Sequence, residues 1–595
     1  MADLFAAGDR SPRLDKKDRK LLWLLTLVYT LFTLFNLGTL NFPQNAWTAE
    51  PGESVVLDLG EETNVSAVWF NGNIATGKMT VAADDGASYE YSQQFGEMFT
   101  WRKKEMSFTT RTLRLEVYSG EISLNEIAVL DNLGKPVAVS VAVSVAGGNG
   151  AALLDEQETV PEKASYYNGM IFDEIYHART ACEFLHNRSI YEWTHPPLGK
   201  ELIAVGVALF GMTPFGWRVI PALFGAAMLP VMFLLGKRIF RRRDYAFLAA
   251  ALFALDTMHF AQTRIATVDV FIVFFILLMY LFMLDYIEAD NDAQPLKKTF
   301  LPLGACGVSF GLGVASKWTG LYAGVGLAVV FFTHLILRGI RETREGRGAA
   351  FWPRTIKTLT FCIGFFILIP GLIYFLSYIP FYRYEFTRET YAGGTGALDR
   401  LKEMVRILVS QQESMFSYHS KLTATHLCQS TWYEWPFTAK AVWFYFSSDG
   451  NMVSNISTFG SPAVWWVSAV GTLWLLMELI AGRMKQEPQW VKTAVAVVLA
   501  AVAANYFPWM TVPRCTFQYH FFPTAPFILL SALLLLRHLE ETGAVPAWGK
   551  WCWLGVAAVY FLLLLPACSG LPMPRTYARF LEYVLPTGLL FLGAV

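Results

Sequence analysis

The chain has 595 residues, of which 54% are hydrophobic and only 16% are charged. Soluble globular proteins carry about 25% charged residues, so this composition favours a protein of the lipid bilayer over a soluble one. The 48 basic and 48 acidic residues balance to zero net charge, which gives no indication of a nucleic-acid partner. The seven cysteines are scattered without a zinc-like spacing; the sequence is compatible with a divalent metal but requires no metal or other cofactor.

The N-terminus combines a basic tail with an apolar run. Residues 1–20 are polar and basic, which predicts a cytoplasmic N-terminal tail. The apolar run at residues 21–40 reaches the roughly 20 residues needed to cross a bilayer. A cleavable signal peptide is the alternative, but the run is longer than a signal-peptide core and no convincing small-residue cleavage site follows it. We therefore predict a retained first transmembrane helix.

Residues 47–145 change character. Short runs alternate apolar and polar residues and are separated by Gly, Asn and Asp, which predicts an all-β sandwich of about eight strands. By pattern, this segment resembles discoidin-like or jelly-roll modules. Trp69 and Trp101 are candidates for stacking on a sugar, although core positions are the commoner role for such aromatic residues. A Gly-rich linker at residues 147–150 ends the module.

Residues 146–216 form the predicted catalytic first outer loop. Asp173 and Glu174 are adjacent carboxylates among apolar residues, and His177 lies one helical turn from Asp173. A carboxylate in an apolar setting suits a general base with a raised pKa; a charge pair at a helix start is the alternative. The loop continues to His195-Pro-Pro-Leu-Gly-Lys200, where two prolines predict a stiff turn.

The remainder, residues 217–595, is the predicted transmembrane core. Ten apolar runs together with the first give about eleven transmembrane helices. The strongly basic gaps KRIFRRR and RGIRETREGRG must be cytoplasmic, which places the β-module, the acidic pair and the outer loop 381–460 outside. The predicted fold class is thus a polytopic α-helical membrane protein with an inserted extracytoplasmic all-β sandwich module.

Isolated basic residues lie at the outward ends of the apolar spans. Each alone is explained equally well by a side chain that reaches the lipid headgroups or by a functional cation. Several at the same depth, on the side of the carboxylate pair, favour a site for a lipid-borne phosphate, because Arg and Lys neutralise and orient phosphate oxygens. The candidates are Arg218, Arg264, Lys317 and Arg514, with Lys200 nearby and Asp269 as an anchor for Arg264 or Lys317.

The outer loop 381–460 holds a cluster of aromatic residues that includes Trp432 and Trp435, with His426 and Glu434 among them. An interfacial aromatic belt and a sugar-binding pocket explain this density equally well. A metal held by His419, His426 and His520 together with Asp173 is a further alternative, but no spacing requires it.

Seven motifs occur along the chain in an order that resembles the bacterial branch of the protein O-mannosyltransferases, a GT-C glycosyltransferase family. They are FDEIYHA, THPPLGK, PFGWR, LDTMHFAQTRIATVDVF, ASKWTGLY, STWYEWPF and FQYHFFP, within residues 165–540. The resemblance implies a transmembrane enzyme that uses a polyprenyl-phosphate-linked mannose and a Ser/Thr hydroxyl of a secreted protein. It also implies an inverting displacement without a covalent intermediate.

The same resemblance implies roles for individual residues. Asp173 corresponds to the catalytic base, with Glu174 beside it. Arg218, Arg264 and Lys317 fall in motifs that face the lipid phosphate, and His195, Lys200, Arg514 and His520 complete the pocket. The chain departs from the family by placing a β-module before the acidic pair. Its loop 381–460 is also too short for the MIR module of eukaryotic members, which favours a bacterial plasma-membrane protein.

Two other functions remain open at this point. The donor sugar can be transferred to a glycolipid or cell-wall polymer, as in lipid A aminoarabinose transferases, instead of to a protein. A sugar or lipid transporter is the rival of a different class, but it predicts internally repeated halves with broken helices, and the sequence shows no repeat. The enzyme hypothesis requires the carboxylate and the cations to converge at the outer mouth of one cavity.

Overall fold

A computed structural model describes residues 13–145, 149–289, 295–389, 391, 393–394 and 396–585. Most of the predicted tail and part of the Gly-rich linker lie outside the described residues. The chain forms two compact units. The helical unit comprises Met1–Phe35, Glu183–Leu202 and Pro221–Val595, and the sheet unit comprises Asn36–Cys182 and Ile203–Ile220.

The helices are α1 (Lys16–Leu34), α2 (Glu174–His186), α3 (Leu198–Phe210), α4 (Pro214–Phe240), α5 (Arg243–Ala254), α6 (Thr257–Gln262), α7 (Asp269–Ala289), α8 (Lys297–Ser316), α9 (Gly320–Arg344), α10 (Gly348–Ile363), α11 (Ile369–Leu376), α12 (Ile379–Thr387), α13 (Ala397–Lys421), α14 (Pro462–Ile480), α15 (Gln489–Tyr506), α16 (Ala525–Glu541), α17 (Gly549–Ser569) and α18 (Arg575–Val584). The strands are β1 (Trp47–Ala49), β2 (Ser54–Gly72), β3 (Gly77–Ala83), β4 (Ser88–Gln93), β5 (Trp101–Gly120), β6 (Ile122–Asp131), β7 (Ser140–Val145), β8 (Val442–Asp449), β9 (Met452–Thr458) and β10 (Met573–Pro574).

The sheet unit is built on one antiparallel sheet of seven strands in the order β1-β6-β2-β5-β3-β4, with β7 paired to β2. Two pairs of predicted short strands are each a single long strand, β2 and β5, which reduces the predicted eight to six. The short strand β1 was not predicted and brings the number to seven. β5 buries Met106 and Phe108 and then changes phase to bury Leu113 and Leu115. The change coincides with an irregular register opposite β2, which re-aims the side chains into one core. The jelly-roll resemblance stays a prediction.

Trp69 and Trp101 belong to the interior of the sheet unit. Their exposed fractions are 7% and 0%, and their rings meet edge to face with centroids 6.4 Å apart. A buried ring offers no face to a sugar, so the structure favours the core role over the stacking role.

The sheet unit also holds the segment that carries the acidic pair. Thr100 forms a β-bridge with Gly169. The Met170 N–H donates to the Phe99 carbonyl (3.2 Å), and the rings of Phe95 and Tyr176 lie 5.6 Å apart. The segment before α2 is therefore attached to the sheet by backbone and by ring contacts.

The helical unit contains eight helices among the described residues that are long and apolar enough to cross a membrane: α4, α7, α8, α9, the continuous α10–α11 stretch, α14, α15 with the turn after it, and α17. Eleven were predicted. The predicted span at 246–261 is divided into α5 and α6, because Asp256 caps α6 by accepting from the Met258 and His259 N–H groups (3.4 Å each). Two further helices are not among the eight: α1 begins in a cluster of charges, and α16 has only 17 residues.

α1 is fixed within the helical unit near both of its ends. At its start, the Asp18 carboxylate accepts from Lys237 Nζ (2.9 Å) and Arg243 Nε (2.7 Å). At its end, the Arg264 guanidinium donates to the carbonyls of Thr33 and Phe35. The contacts of Arg264 bind the first helix to the bundle at its end, where backbone carbonyls lack helical partners.

Candidate functional site

The helical unit contains a cavity of about 300 Å³ that is rich in basic side chains. Four separate parts of the chain supply them. The residues are His195 in the turn before α3, Lys317 directly after α8, His419 in α13 and Arg514 between α15 and α16. The aromatic residues Trp318, Tyr322, Phe416 and Trp509 complete much of the wall. Basic and aromatic walls together suit an anionic group attached to an apolar or sugar moiety.

Lys317 is held in place by an ion pair. α8 ends because Lys317 adopts an extended backbone (φ −160°, ψ 138°), which turns its side chain out of the helix direction. Its Nζ lies 2.7 Å from Asp269 Oδ1 at the first turn of α7, and both side chains are buried. Of the two partners predicted for Asp269, the structure pairs it with Lys317. The ion pair fixes the ammonium at the cavity wall.

Arg514 differs from Lys317 because its charge is not neutralised by a neighbour. Within the described part of the chain it makes no hydrogen bond or ion pair, although it lines the cavity. An unpaired guanidinium beside a second cation makes this wall electropositive. It therefore supplies the strongest feature for binding an anion.

Lys200 holds the turn that carries His195. Its side chain is completely buried and donates to the Glu192 carboxylate, to the Glu192 carbonyl (2.7 Å) and to the His195 carbonyl (2.9 Å). Lys200 is not among the residues lining the cavity. The structure favours a positioning role over the predicted phosphate contact, because each of these bonds fixes the backbone around the two prolines.

His419 is the cavity residue that sequence analysis considered only as a metal ligand. Its Nε2–H donates to the Thr194 carbonyl (2.8 Å), and its ring lies 5.5 Å from that of His195. Burial, followed by the nearby charges of His195, Arg514 and Lys317, lowers the pKa of His419 to about 4. Burial also lowers the pKa of His195. At neutral pH the imidazoles are uncharged, so Lys317 and Arg514 carry the positive charge of the cavity.

His520 and Trp435 form a packed layer behind the cavity wall. Trp435 is 1% exposed and its Nε1–H donates to Ser430 Oγ (3.1 Å). The His520 ring lies 4.4 Å from that of Trp509 and stacks on Trp435 at 6.0 Å. Burial lowers the pKa of His520 well below its ordinary value. Because Trp435 is enclosed, its geometry favours a supporting role over direct contact with a sugar.

The other residues predicted in the outer loop lie outside the lining of the cation cavity. Trp432 packs edge-on against Tyr506 at 5.8 Å. Glu434 accepts from the Thr431 N–H (2.6 Å) and lines a neighbouring polar cavity. His426 is exposed, and its Nδ1 accepts from the Cys428 N–H (3.0 Å). These contacts shape the loop.

Arg264 also lies outside the lining of the cavity. Its guanidinium donates to the backbone of α1 and covers the Phe260 ring at 4.8 Å. The side chain is 8% exposed. This geometry favours a role in fixing α1 over the predicted phosphate contact.

In the sheet unit, Glu174 and Arg218 form a buried pair. The Arg218 guanidinium grips the Glu174 carboxylate with two bonds (2.7 and 2.6 Å), and neither side chain is more than 1% exposed. The remaining donors reach the carbonyls of Leu37 (3.0 Å), Tyr166 (2.7 Å) and Gly169 (2.9 Å). This arrangement favours a structural clamp over the predicted catalytic role of Glu174 and the predicted phosphate contact of Arg218.

Asp173 is placed differently from Glu174. It is partly exposed at the start of α2, where its carbonyl accepts from the N–H groups of Tyr176 (3.0 Å) and His177 (3.1 Å). Phe172, directly before it, has a left-handed backbone (φ +48°), which is unusual for a bulky residue. At this turn the Glu174 carboxylate is buried, whereas Asp173 is partly exposed. His177 is buried in the first turn of α2.

The described residues include one group of carboxylates that could hold a metal ion. Among the described residues, the group close enough to share an ion is Glu126, Asp155 and Glu156 of the sheet unit. The Glu126 carboxylate already accepts from the Glu156 N–H (2.7 Å) and from Gln157 Nε2 (2.6 Å). Within the described chain, the alternative metal site of His419, His426 and His520 with Asp173 does not form such a group.

Two protein-family descriptions match long stretches of this chain. The family described as "Dolichyl-phosphate-mannose-protein mannosyltransferase" matches residues 211–382. A second family description, "C-terminal four TMM region of protein-O-mannosyltransferase", matches residues 404–583. The two matches together span more than half of the chain.

Curated relatives carry a related name. The chain is 25% identical over 454 residues to a polyprenol-phosphate-mannose–protein mannosyltransferase of Mycobacterium tuberculosis, covering 68% of this chain and 84% of the relative. It is 26% identical over 425 residues to the Corynebacterium glutamicum protein of the same name, covering 64% and 78%. The fold matches a chain of the S. cerevisiae protein O-mannosyltransferase complex bound to the sugar donor, with TM-score 0.60, 14% identity and coverage of 70% and 88%. The chain therefore belongs to the protein O-mannosyltransferase family of GT-C membrane glycosyltransferases.

Proposed function

We propose that this protein transfers mannose, or a similar hexose, from a polyprenyl-phosphate donor to Ser/Thr hydroxyls of secreted proteins. The proposed location is a bacterial plasma membrane, with the N-terminus in the cytoplasm and the active site on the extracytoplasmic face. The names of the mycobacterial and corynebacterial relatives support this donor and acceptor. The basic gaps at residues 237–243 and 338–348 support the orientation.

The proposed reaction is a single inverting displacement. Asp173 accepts the proton of the acceptor hydroxyl while the hydroxyl oxygen attacks C1 of the sugar. The bond between C1 and the phosphate oxygen breaks, and its electron pair leaves with the polyprenyl phosphate. Lys317 and Arg514 stabilise the charge that develops on this phosphate. Phosphate is a good leaving group, so the reaction needs no general acid.

The electropositive cavity is the observation that carries the proposal. A transporter for neutral sugars needs no such cluster, whereas a departing phosphate needs cations that are already in position. The ion pair that fixes Lys317 and the unpaired charge of Arg514 meet this requirement. His195 and His419 add neutral hydrogen-bonding groups on the same wall.

The direct test supplies purified full-length protein with radiolabelled polyprenyl-phosphate-mannose and a Ser/Thr-rich peptide. We expect label on the peptide and release of polyprenyl phosphate in equal amounts. Label that appears only in a lipid or glycan fraction would replace the protein acceptor with a glycolipid or cell-wall polymer. Absence of donor cleavage under all acceptor conditions would contradict the transferase proposal. A parallel reaction with EDTA measures any dependence on a divalent metal.

Arg514→Ala tests the phosphate site. Loss of a charge-assisted contact of about 1.5–3 kcal/mol predicts a donor Kd higher by roughly 10- to 150-fold. Binding is measured by titration with polyprenyl phosphate, which carries the part of the donor that Arg514 is proposed to contact. Arg406→Ala is the matched control, because Arg406 is an exposed arginine of the helical unit paired with Glu403, and its donor Kd should not change. Equal Kd values for Arg514→Ala and the parent would place the donor phosphate elsewhere.

A further inference from the structure

A short segment after α13 separates two cavities of the helical unit. One cavity, of about 430 Å³, is lined by residues 422–425 together with polar residues of the outer loop. The other, of about 780 Å³, is lined by Leu422, Thr423 and Ala424 and by side chains of the α13 C-terminal turns. The segment thus forms a ridge with a groove on each side.

The backbone of this ridge contains N–H and C=O groups that are not used in hydrogen bonds within the described part of the chain. α13 ends at Lys421, and Leu422 directly after it has an extended backbone (φ −65°, ψ 114°). The N–H and C=O groups of Thr423, Ala424 and Thr425 make no hydrogen bond with any other described residue. All three residues are exposed. An exposed segment outside any helix or strand, with unpaired backbone groups, offers hydrogen-bonding sites to the backbone of another chain.

The smaller groove lies next to the cation cavity. Pro513 and Arg514 line both. The smaller groove also contains Lys440, which has no hydrogen bond or ion pair with the described residues. A ligand lying in this groove therefore ends beside the residues to which the proposed function assigns the donor phosphate.

We infer that residues 422–425 bind the acceptor polypeptide, which lies along the ridge as an extended strand and pairs with it through backbone hydrogen bonds. This inference rests on the proposed function and adds the binding mode of its acceptor. The occupant is a polypeptide because a row of backbone donors and acceptors is complementary to another backbone. Side-chain hydroxyls of the acceptor remain free to reach the reacting sugar.

The binding mode has a signature that side-chain recognition lacks. In an extended strand, the N–H and C=O of alternate residues point to the same side. Every second residue of the acceptor therefore bonds to the ridge, whereas the residues between them bond to water. Because the bonds involve backbone, the enzyme accepts many different sequences around the modified Ser or Thr.

An N-methyl scan of a peptide acceptor tests the inference with the full-length protein. Each peptide N–H is replaced in turn by N-methyl, and KM and kcat for mannose transfer are measured. We expect KM to rise by about three- to tenfold at alternate positions, as for the loss of one backbone hydrogen bond, and to change less than twofold between them. Alanine substitutions of the same side chains should leave KM nearly unchanged. Mannose transfer with the same KM for every N-methylated peptide would overturn the inference.

Thr425→Pro tests the same contact from the enzyme side, because proline removes one N–H from the ridge. We expect a higher KM for the peptide with an unchanged Kd for polyprenyl phosphate. Thr425→Ala is the matched control, since it changes the side chain and keeps the N–H. Because the N–H groups of adjacent residues in an extended segment point to opposite sides, Ala424→Pro is measured as well. An unchanged peptide KM in both proline variants, with the donor Kd intact, would contradict a backbone role. If no peptide is glycosylated by the parent protein, the proposed function fails and this inference fails with it.

Discussion

Asp173→Asn should lower kcat for mannose transfer by about 10²- to 10⁴-fold, which is the range for loss of a general base. Asparagine has nearly the same shape as aspartate but cannot accept the proton of the acceptor hydroxyl. The Glu174–Arg218 pair, which fixes this part of the chain, is untouched by the substitution. The donor Kd should also stay the same, because the proposed phosphate ligands are other residues.

The measurement combines turnover with a binding assay. Kd for polyprenyl phosphate and the chromatographic behaviour in detergent should match those of the parent protein. Asp85→Asn is the control, because it neutralises an exposed carboxylate of the sheet unit that belongs neither to the acidic pair nor to the group of Glu126, Asp155 and Glu156. Turnover within tenfold of the parent in Asp173→Asn would remove Asp173 from the mechanism.

Arg218→Met should destabilise the protein by about 3–5 kcal/mol, because it leaves the Glu174 carboxylate buried without its partner. The substitution also leaves the carbonyls of Leu37, Tyr166 and Gly169 without their donor. The double variant Arg218→Met/Glu174→Leu should recover part of the lost stability, since it removes the buried charge. The unmatched carbonyls prevent a full recovery.

Stability is measured as the denaturant midpoint of the purified protein in detergent. We expect the denaturant midpoint to be highest for the parent protein, lower for the double variant and lowest for the single variant. A single variant as stable as the parent would show that the Glu174–Arg218 pair is not a clamp. A double variant no more stable than the single one would assign the loss to the carbonyls and not to the buried carboxylate.

The helical character of the chain was predictable because bilayer spans are determined by length and apolarity, which are local properties. The predicted spans agree where an apolar run is uninterrupted, as in α4 and α7. They differ where one polar residue changes the course of the backbone. Asp256 lies within an apolar run, but its carboxylate caps the next helix and so divides the run.

The site was predictable where the partners lie at the ends of successive spans. Asp269 and Lys317 were recognised as candidate partners because both are isolated charges at such ends, and they form an ion pair. The pairing of Glu174 with Arg218 spans 44 residues and joins two charges to which the motifs assigned other roles. His419 was missed as a cavity residue because it lies in a long helix of a loop. Only the fold brings it to Thr194, 225 residues away.

The bridge between Thr100 and Gly169 limits how the β-module can be exchanged between related proteins. Gly169 also presents its carbonyl to Arg218, so the same residue contacts both the module and the arginine that holds the acidic turn. A module joined in this way cannot be moved to another protein by itself. A chimaera that takes it from this protein must also take the turn at residues 166–177 and the arginine that grips it.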